Sequence, residues 1–415
     1  MFLPPPIPDA NDTSEATSQD ESRLAALAHL QRTPIRSTPS LSVFNGASVA
    51  LFCASSDSGT ALTRRLIALG PAELHVVEHV DAEVPDDIRR SERVRLHRWK
   101  TPDDIAGLKE LADAKVEYVL NAAIRMTDWE HLQTYTTYNL DLPRRVLRLA
   151  EHYRTAGSLK RVAHISTTDV YGYTATPSAA VTDETTDPRD ANTPAQTTAC
   201  YGDLLAHHGI DRGVPLTVFR VPFVYGPGCA SSTALCASIE RGTATTVGGG
   251  LADPGLVYAD NLAEGVLLAC AEPAASGRVY NMWAREPCTW RELYDLTADA
   301  LDAPRVSRDL SVWLAVLVAW LLESLLSVLN WFGVPGRPWL TAQQVNYLRH
   351  DRNFASERAR IVFGWTPNVS VAEGVKRTVE AYRATKGKNG AGVDFGGGGG
   401  SGGKGNRTPE TKKQN

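Results

Sequence analysis

From residue 48 to about residue 221 the chain alternates short apolar runs with longer stretches of helical spacing. Ser48-Val-Ala-Leu-Phe-Cys53 is of strand length and almost wholly apolar. Leu62, Leu66 and Leu69 then recur at helical intervals over 61–69, and Gly70 ends the run. The pattern predicts further strands over 73–78, 94–97, 116–123, 159–166 and 216–221, with helices over 103–114 and 139–154. Parallel strands need long crossovers, which helices supply, so the alternation implies an α/β fold: a Rossmann-like doubly wound parallel sheet with helices on both faces. Such a sheet places its ligand outside the C-terminal strand ends, where the strand order reverses. The expected site lies at the turn after Phe52, the turn after Ala123 and the residues after Ser166.

After residue 221 the pattern loosens into Gly248-Gly-Gly250 and helices expected over 261–270 and 289–301, which suggests a smaller C-terminal substrate lobe. Residues 310–333 then form an almost unbroken apolar stretch. At about 100° per residue, Trp313, Trp320 and Trp331 share one helical face with Ser324 and Ser327. Leu314, Val318, Leu322, Leu325, Leu326 and Leu329 fill the other. The length would span a bilayer, but Glu323 in mid-segment and the segregated tryptophans favour a helix lying in a membrane surface or covering an apolar cleft; a buried helix is the alternative.

Composition narrows the function. With 43 basic and 47 acidic residues and no basic stripe, nucleic acid is not an expected partner. The six cysteines show no metal-ligand spacing and read as reduced thiols; no metal site is expected. The opening Met1-Phe-Leu-Pro-Pro-Pro-Ile-Pro8 lacks a basic region and an apolar core, so no secretory signal is expected. Residues 1–44, rich in Pro, Ser, Thr and acidic side chains, and the Gly-rich 386–415 are expected to be flexible. They flank one folded unit over 45–385, with a Rossmann core at 47–225 and the lobe at 226–385.

Several ordered motifs carry a family resemblance: Arg161-Val-Ala-His-Ile-Ser-Thr-Thr-Asp-Val-Tyr-Gly172, Phe219-Arg-Val-Pro-Phe-Val-Tyr-Gly-Pro-Gly228, Val257-Tyr-Ala-Asp-Asn-Leu-Ala263 and Phe363-Gly-Trp-Thr-Pro-Asn-Val-Ser-Val-Ala-Glu-Gly374. Together they resemble the extended short-chain dehydrogenase/reductase superfamily of NAD-dependent epimerase/dehydratase type. The nearest likeness is the 3β-hydroxysteroid dehydrogenase and sterol-4-carboxylate dehydrogenase branch. The resemblance implies NAD or NADP as cofactor. The family's three loop glycines fall on Cys53, Ser56 and Gly59, of which only Gly59 is glycine. Glu78, or else Asp81, matches the ribose-binding acid, and Ala122 and Ala123 end the fourth strand beside the cofactor.

The family's catalytic group pairs a Ser or Thr with a Tyr four residues before a Lys. Thr167 matches the hydroxyl, but Ala195 and Ala199 stand at the Tyr and Lys positions, and the chain has no lysine between Lys160 and Lys376. Tyr201 is the nearby alternative tyrosine. Thr168, Asp169, Tyr171, Tyr173, Arg220 and Tyr258 could ring a ligand, although Tyr171 and Arg220 read more readily as fold residues. His207 and His208 belong to a surface helix, and Asp260 to a helix cap.

Three readings follow. In the first, a diverged member binds or transforms a hydrophobic, oxygenated metabolite (steroid, terpenoid or polyketide-like) with standard Tyr/Lys hydride transfer lost. In the second, a working NAD(P)-dependent dehydrogenase uses Thr167 and Tyr201 in a non-standard site. In the third, the chain is a nucleotide-sensing regulator. The steroid branch further implies a cytoplasmic protein, peripheral on an internal membrane such as the endoplasmic reticulum through 310–333, and a homodimer.

Overall fold

The computed structural model describes residues 37–172, 182–189, 193–334 and 336–388. Its centre is a parallel sheet of β1 (Ser48–Phe52), β2 (Glu73–His79), β3 (Val94–Trp99), β4 (Tyr118–Asn121), β5 (Arg161–Thr167), β6 (Leu216–Val221) and β7 (Arg278–Asn281). The strands lie in the order β7-β6-β5-β4-β1-β2-β3, so the order reverses between β1 and β4. Side chains alternate across the pleat. Val49 and Leu51 therefore enter one core and Ala50 and Phe52 the other. Because both faces are covered, the strands read as apolar runs rather than alternating ones.

The first core packs helices α1 (Asp57–Leu69) and α5 (Ala259–Ala271) against the sheet through Leu62, Leu66, Leu262 and Val266. The second is closed by α2 (Leu142–Thr155), through Leu142, Val146 and Tyr153, and by α3 (Pro194–Asp211), through Ala206. The helix predicted over 103–114 is instead a 3-10 turn, Pro102–Gly107, and a short helix, Lys109–Asp113. The folded chain also starts earlier than residue 45. Leu41–Phe44 forms a 3-10 turn whose Phe44 is buried, its ring centroid 4.7 Å from that of Tyr118, because one large apolar side chain is enough to pin the segment. Residues 1–36, 389–415 and Tyr173 lie outside the described residues.

The second lobe gathers α4 (Ala230–Glu240), α6 (Trp290–Ala300) and α9 (Val371–Lys388) around Trp290, Leu293 and Val375. It also carries the apolar α7 (Val312–Trp331), followed by α8 (Ala342–Arg349). Among the described residues α7 is the one helix long and apolar enough to cross a membrane by length and composition. Only Ala315 and Ala319 of it are buried, packing with Val345 and Leu340. The tryptophan face is turned to solvent: Trp313 is 69% exposed, Trp320 61% and Trp331 82%. Leu325, expected on the leucine face, is exposed with them. Glu323 points inward, its Oε1 accepting the Ala342 N–H at 2.7 Å and so satisfying an orphan donor at the start of α8.

Candidate active site

In a doubly wound sheet the reversal between β1 and β4 sets a crevice at the C-terminal strand ends, and the turn from β1 into α1 stands at that position. Cys53 sits in that turn with φ of 61°, a left-handed conformation that costs a non-glycine residue about 1–2 kcal/mol. The turn is held regardless because its polar groups bond one another. Cys53 N donates to Val77 O at 3.0 Å, and Cys53 O accepts the Ser56 N–H at 3.2 Å. Ser56 caps α1 and accepts the Gly59 N–H at 3.0 Å. Its hydroxyl also lies 2.9 Å from Cys53 O and 3.1 Å from Ala122 O, bridging β1 to β4. Gly59 is the glycine that could not change, since a Cβ there would stand 2.0 Å from Cys53 O. Ser56 needs no positive φ, so a side chain is tolerated where the family pattern has glycine.

Glu78 is buried, and both its oxygens accept backbone N–H groups: Oε2 from Ser55 at 2.8 Å and Oε1 from His79 at 3.0 Å. It braces the turn. Asp81, the other ribose-binding candidate, is exposed beside His79. Ala122 and Ala123 are buried behind the crevice, Ala122 N donating to Phe52 O at 3.1 Å. Asp57, the first residue of α1, points toward the second lobe, where its Oδ1 accepts the Ala230 N–H at 3.2 Å. Burial raises its pKa to about 6.

A dinucleotide pyrophosphate needs open N–H donors and no competing anion at such a helix start. Here the Ser55 and Gly59 N–H groups are engaged by Glu78 and Ser56, and a carboxylate stands in the first turn. These residues do not fit the pyrophosphate of NAD or NADP.

At the end of β5, Thr167 is buried and caps the following 3-10 turn, its Oγ1 accepting the Asp169 N–H at 3.1 Å. Asp169 in turn is wholly buried, paired with Arg352 and accepting the Tyr347 hydroxyl proton. The Arg352 guanidinium lies 4.3 Å from the Tyr347 ring centroid and 3.4 Å from Thr168 Oγ1. Burial pushes the Tyr347 phenol well above its usual range. Two polar side chains from the far end of the sequence thus meet the residues after β5. Sequence reasoning missed both, since nothing local marks Tyr347 or Arg352.

Tyr171 donates to Asn281 Oδ1 at 2.7 Å, and Arg220 stacks 4.8 Å from its ring. Burial raises the Tyr171 pKa to about 12. Arg220 is fully buried and bound by Asp203, Nη2 to Oδ2 at 2.6 Å and Nε to Oδ1 at 3.3 Å, so both act in the framework behind the crevice. Beside them the carboxyl of Glu184 accepts the Asn281 N–H at 3.0 Å. Desolvation lifts its pKa to about 7, partly opposed by Arg358.

On α3, Ala195 and Ala199 lie in a buried stripe with Thr198, Gly202 and Asp203. Tyr201 falls off that stripe and is 54% exposed, whereas Thr167 is buried. Tyr258 is buried in the second lobe, its ring 5.6 Å from that of Tyr225. Asn139, also missed in sequence, is buried in a π-helical turn, Thr137–Asp141, where it accepts the Arg125 N–H at 2.7 Å and reaches Thr198 Oγ1 at 3.0 Å. An Asn at the start of a predicted helix was the one signal available. Among the described residues no cluster of His, Cys, Asp and Glu could hold a metal ion.

Residues 56–282 match the model of the NAD dependent epimerase/dehydratase family. The chain is 30% identical to a 2-alkyl-3-oxoalkanoate reductase of Stenotrophomonas maltophilia over 172 residues, 40% of this chain and 51% of the relative. It is 29% identical to 3beta-hydroxysteroid-dehydrogenase/decarboxylase isoform 1 of Arabidopsis thaliana over 136 residues, 32% of this chain and 31% of the relative. It thus spans about a third to a half of the length of these relatives. Among solved structures, gox2253 superposes with a TM-score of 0.65 at 17% identity, covering 81% of this chain and 98% of the other. The Bordetella bronchiseptica enzyme WbmF, in complex with NAD+, gives 0.60 at 18%, covering 83% and 95%; at these identities the likeness shows the fold. On the matched residues and the sheet order together, the chain belongs to the NAD dependent epimerase/dehydratase family.

Proposed function

We propose that this chain is a diverged extended short-chain dehydrogenase that binds a hydrophobic, oxygenated small molecule and has lost Tyr/Lys hydride transfer. The observation that carries this reading is α3, which sets two buried alanines, Ala195 and Ala199, at the positions where the family pattern has tyrosine and lysine. Without the phenol no group there exchanges a proton with a substrate hydroxyl, and without the ammonium nothing lowers a phenol's pKa. The ligand class is supported by the names of the matched relatives, a 2-alkyl-3-oxoalkanoate reductase and a 3β-hydroxysteroid dehydrogenase/decarboxylase, both of which act on apolar molecules bearing hydroxyl or keto groups.

The exposed tryptophan face of α7 supports a second element of the reading, peripheral contact with a membrane surface from which such a ligand could be drawn. The segment after α7 is tied to the stretch following β4: Trp129 Nε1 donates to Gly336 O at 3.1 Å, and Thr341 Oγ1 donates to Asp128 at 3.1 Å.

The test uses the full chain with a 3-keto and a 3β-hydroxy steroid, each with NAD(H) and NADP(H). Saturable quenching of tryptophan fluorescence by a steroid, with no change in nicotinamide absorbance, is the expected result. Cofactor-dependent turnover abolished by Thr167→Ala would overturn it in favour of a working dehydrogenase. No steroid binding would overturn the ligand class.

A further inference from the structure

We propose that the nucleotide-phosphate site of this fold is filled by the chain's own side chains, the Asp57 carboxylate and the Ser56 hydroxyl, and is closed to dinucleotides. In a doubly wound sheet the phosphates lie at the N-terminus of the first helix, beside the strand-order reversal. That position is the start of α1, and three features converge on it.

The first is a bridge between two helix starts. Asp57 is the first residue of α1 and Ala230 the first of α4, and the Asp57 carboxylate accepts the Ala230 N–H. Cys229, the residue preceding α4, makes no side-chain cap, so the cap comes from Asp57 across the lobe boundary. One carboxylate therefore serves two helix dipoles, as a bound phosphate would. The second is the plug. The Ser56 side chain lies between Cys53 O and Ala122 O and takes the Gly59 N–H, so the crevice floor is bonded to itself. The third is Glu78, whose two oxygens are held by the Ser55 and His79 N–H groups. A pyrophosphate entering here would have to break the Ser56 bonds and stand beside a like charge, which is unfavourable on both counts.

The neighbourhood offers little compensation. Arg64, on the same helix, is paired with Asp87 at 2.7 Å, and the Cys229 thiol beside Asp57 is pushed up by burial and by the charges of Asp57 and Asp260. The inference goes beyond the ligand reading above and can fail separately from it. The carboxylate takes over a linking role between the two lobes, which makes the lobe arrangement independent of cofactor.

The experiment is calorimetric titration of NAD+, NADP+ and inorganic pyrophosphate into the wild-type chain, Asp57→Asn, Ser56→Gly and the double variant. Asn keeps an acceptor for the Ala230 N–H, and Gly is among the residues tolerated at a helix N-cap, so the variants are expected to fold. The wild type should show no saturable binding at millimolar ligand, and the folded double variant should bind NAD+ at least about tenfold more tightly than that limit, since one like charge is worth that much or more. Saturable NAD+ binding by the wild type would overturn the inference, and so would a folded double variant that gains nothing. Should the double variant fail to fold, Asp57→Asn alone carries the test, with gain supporting and no gain refuting. Wild-type NAD+ binding without turnover would sink this inference and leave the steroid reading standing. Steroid silence with gained NAD+ binding would do the reverse.

Discussion

Replacing Asp203 with alanine should cost this protein about 3–5 kcal/mol, because it strips the buried Arg220 guanidinium of the carboxylate it pairs with. Arg220 and Asp203 are both fully buried and meet through two hydrogen bonds, at 2.6 and 3.3 Å. In Asp203→Ala, Arg220 keeps the Thr186 carbonyl at 3.2 Å and the Tyr171 ring, neither of which neutralises its charge. Asp203→Asn, which retains the shape and one acceptor, should cost less, and Arg220→Met combined with Asp203→Ala should recover part of the loss. Acid sensitivity gives an independent readout. Burial pushes the Asp203 pKa up, but hydrogen bonds from His207 and Arg220 and the Arg220 charge outweigh it and hold the carboxyl well below the usual range. A depressed folded pKa contributes stability that is present above the unfolded value of about 3.9 and lost as pH falls through the folded one. The wild type should therefore lose stability below about pH 4 more steeply than Asp203→Ala. Urea unfolding followed by tryptophan fluorescence at pH 7 and across the acid range measures both. A loss below about 1 kcal/mol for Asp203→Ala would refute the reasoning, since a truly buried, unpaired guanidinium cannot be that cheap.

Gly59→Ala should destabilise by at least about 2 kcal/mol despite alanine's better helix propensity, because its Cβ would meet the Cys53 carbonyl oxygen at 2.0 Å; a raised melting temperature would contradict this. Asp57→Asn isolates the titration of that carboxylate while keeping an acceptor for the Ala230 N–H. The folded pKa of Asp57 lies above its unfolded value, so the native state binds the extra proton and stability falls as pH rises from about 4 to 6. The variant's profile over that window should be shallower than the wild type's, with the raised carboxyls of Glu184 and Asp253 supplying the remaining slope. Trp313→Ser, Trp320→Ser and Trp331→Ser together should abolish flotation with anionic liposomes while leaving the fold intact by circular dichroism, since all three side chains are solvent-facing. Undiminished flotation would exclude this face as the contact.

The sequence by itself determined the sheet. Apolar runs such as 48–53 and 216–221 are local records of strands buried on both faces, and the observed β1 (Ser48–Phe52) and β6 (Leu216–Val221) agree with them to within one residue. The absence of lysine between Lys160 and Lys376 and the alanines at 195 and 199 were equally legible, because a missing functional group needs no geometry to be seen. Tertiary structure decided what the surviving polar residues do. Glu78 reads as a ribose ligand until its oxygens are found on the Ser55 and His79 N–H groups. Tyr201 reads as a spare catalytic tyrosine until the helix phase, set by the packing of Ala199, Gly202 and Asp203, turns it outward. Asp169 finds Arg352, 183 residues away in sequence, and Asp57 finds Ala230, 173 away. Hydrophobic periodicity is a property of neighbours along the chain, so it survives in the sequence. A carboxylate's partner is a property of neighbours in space, and only the closed fold brings those together.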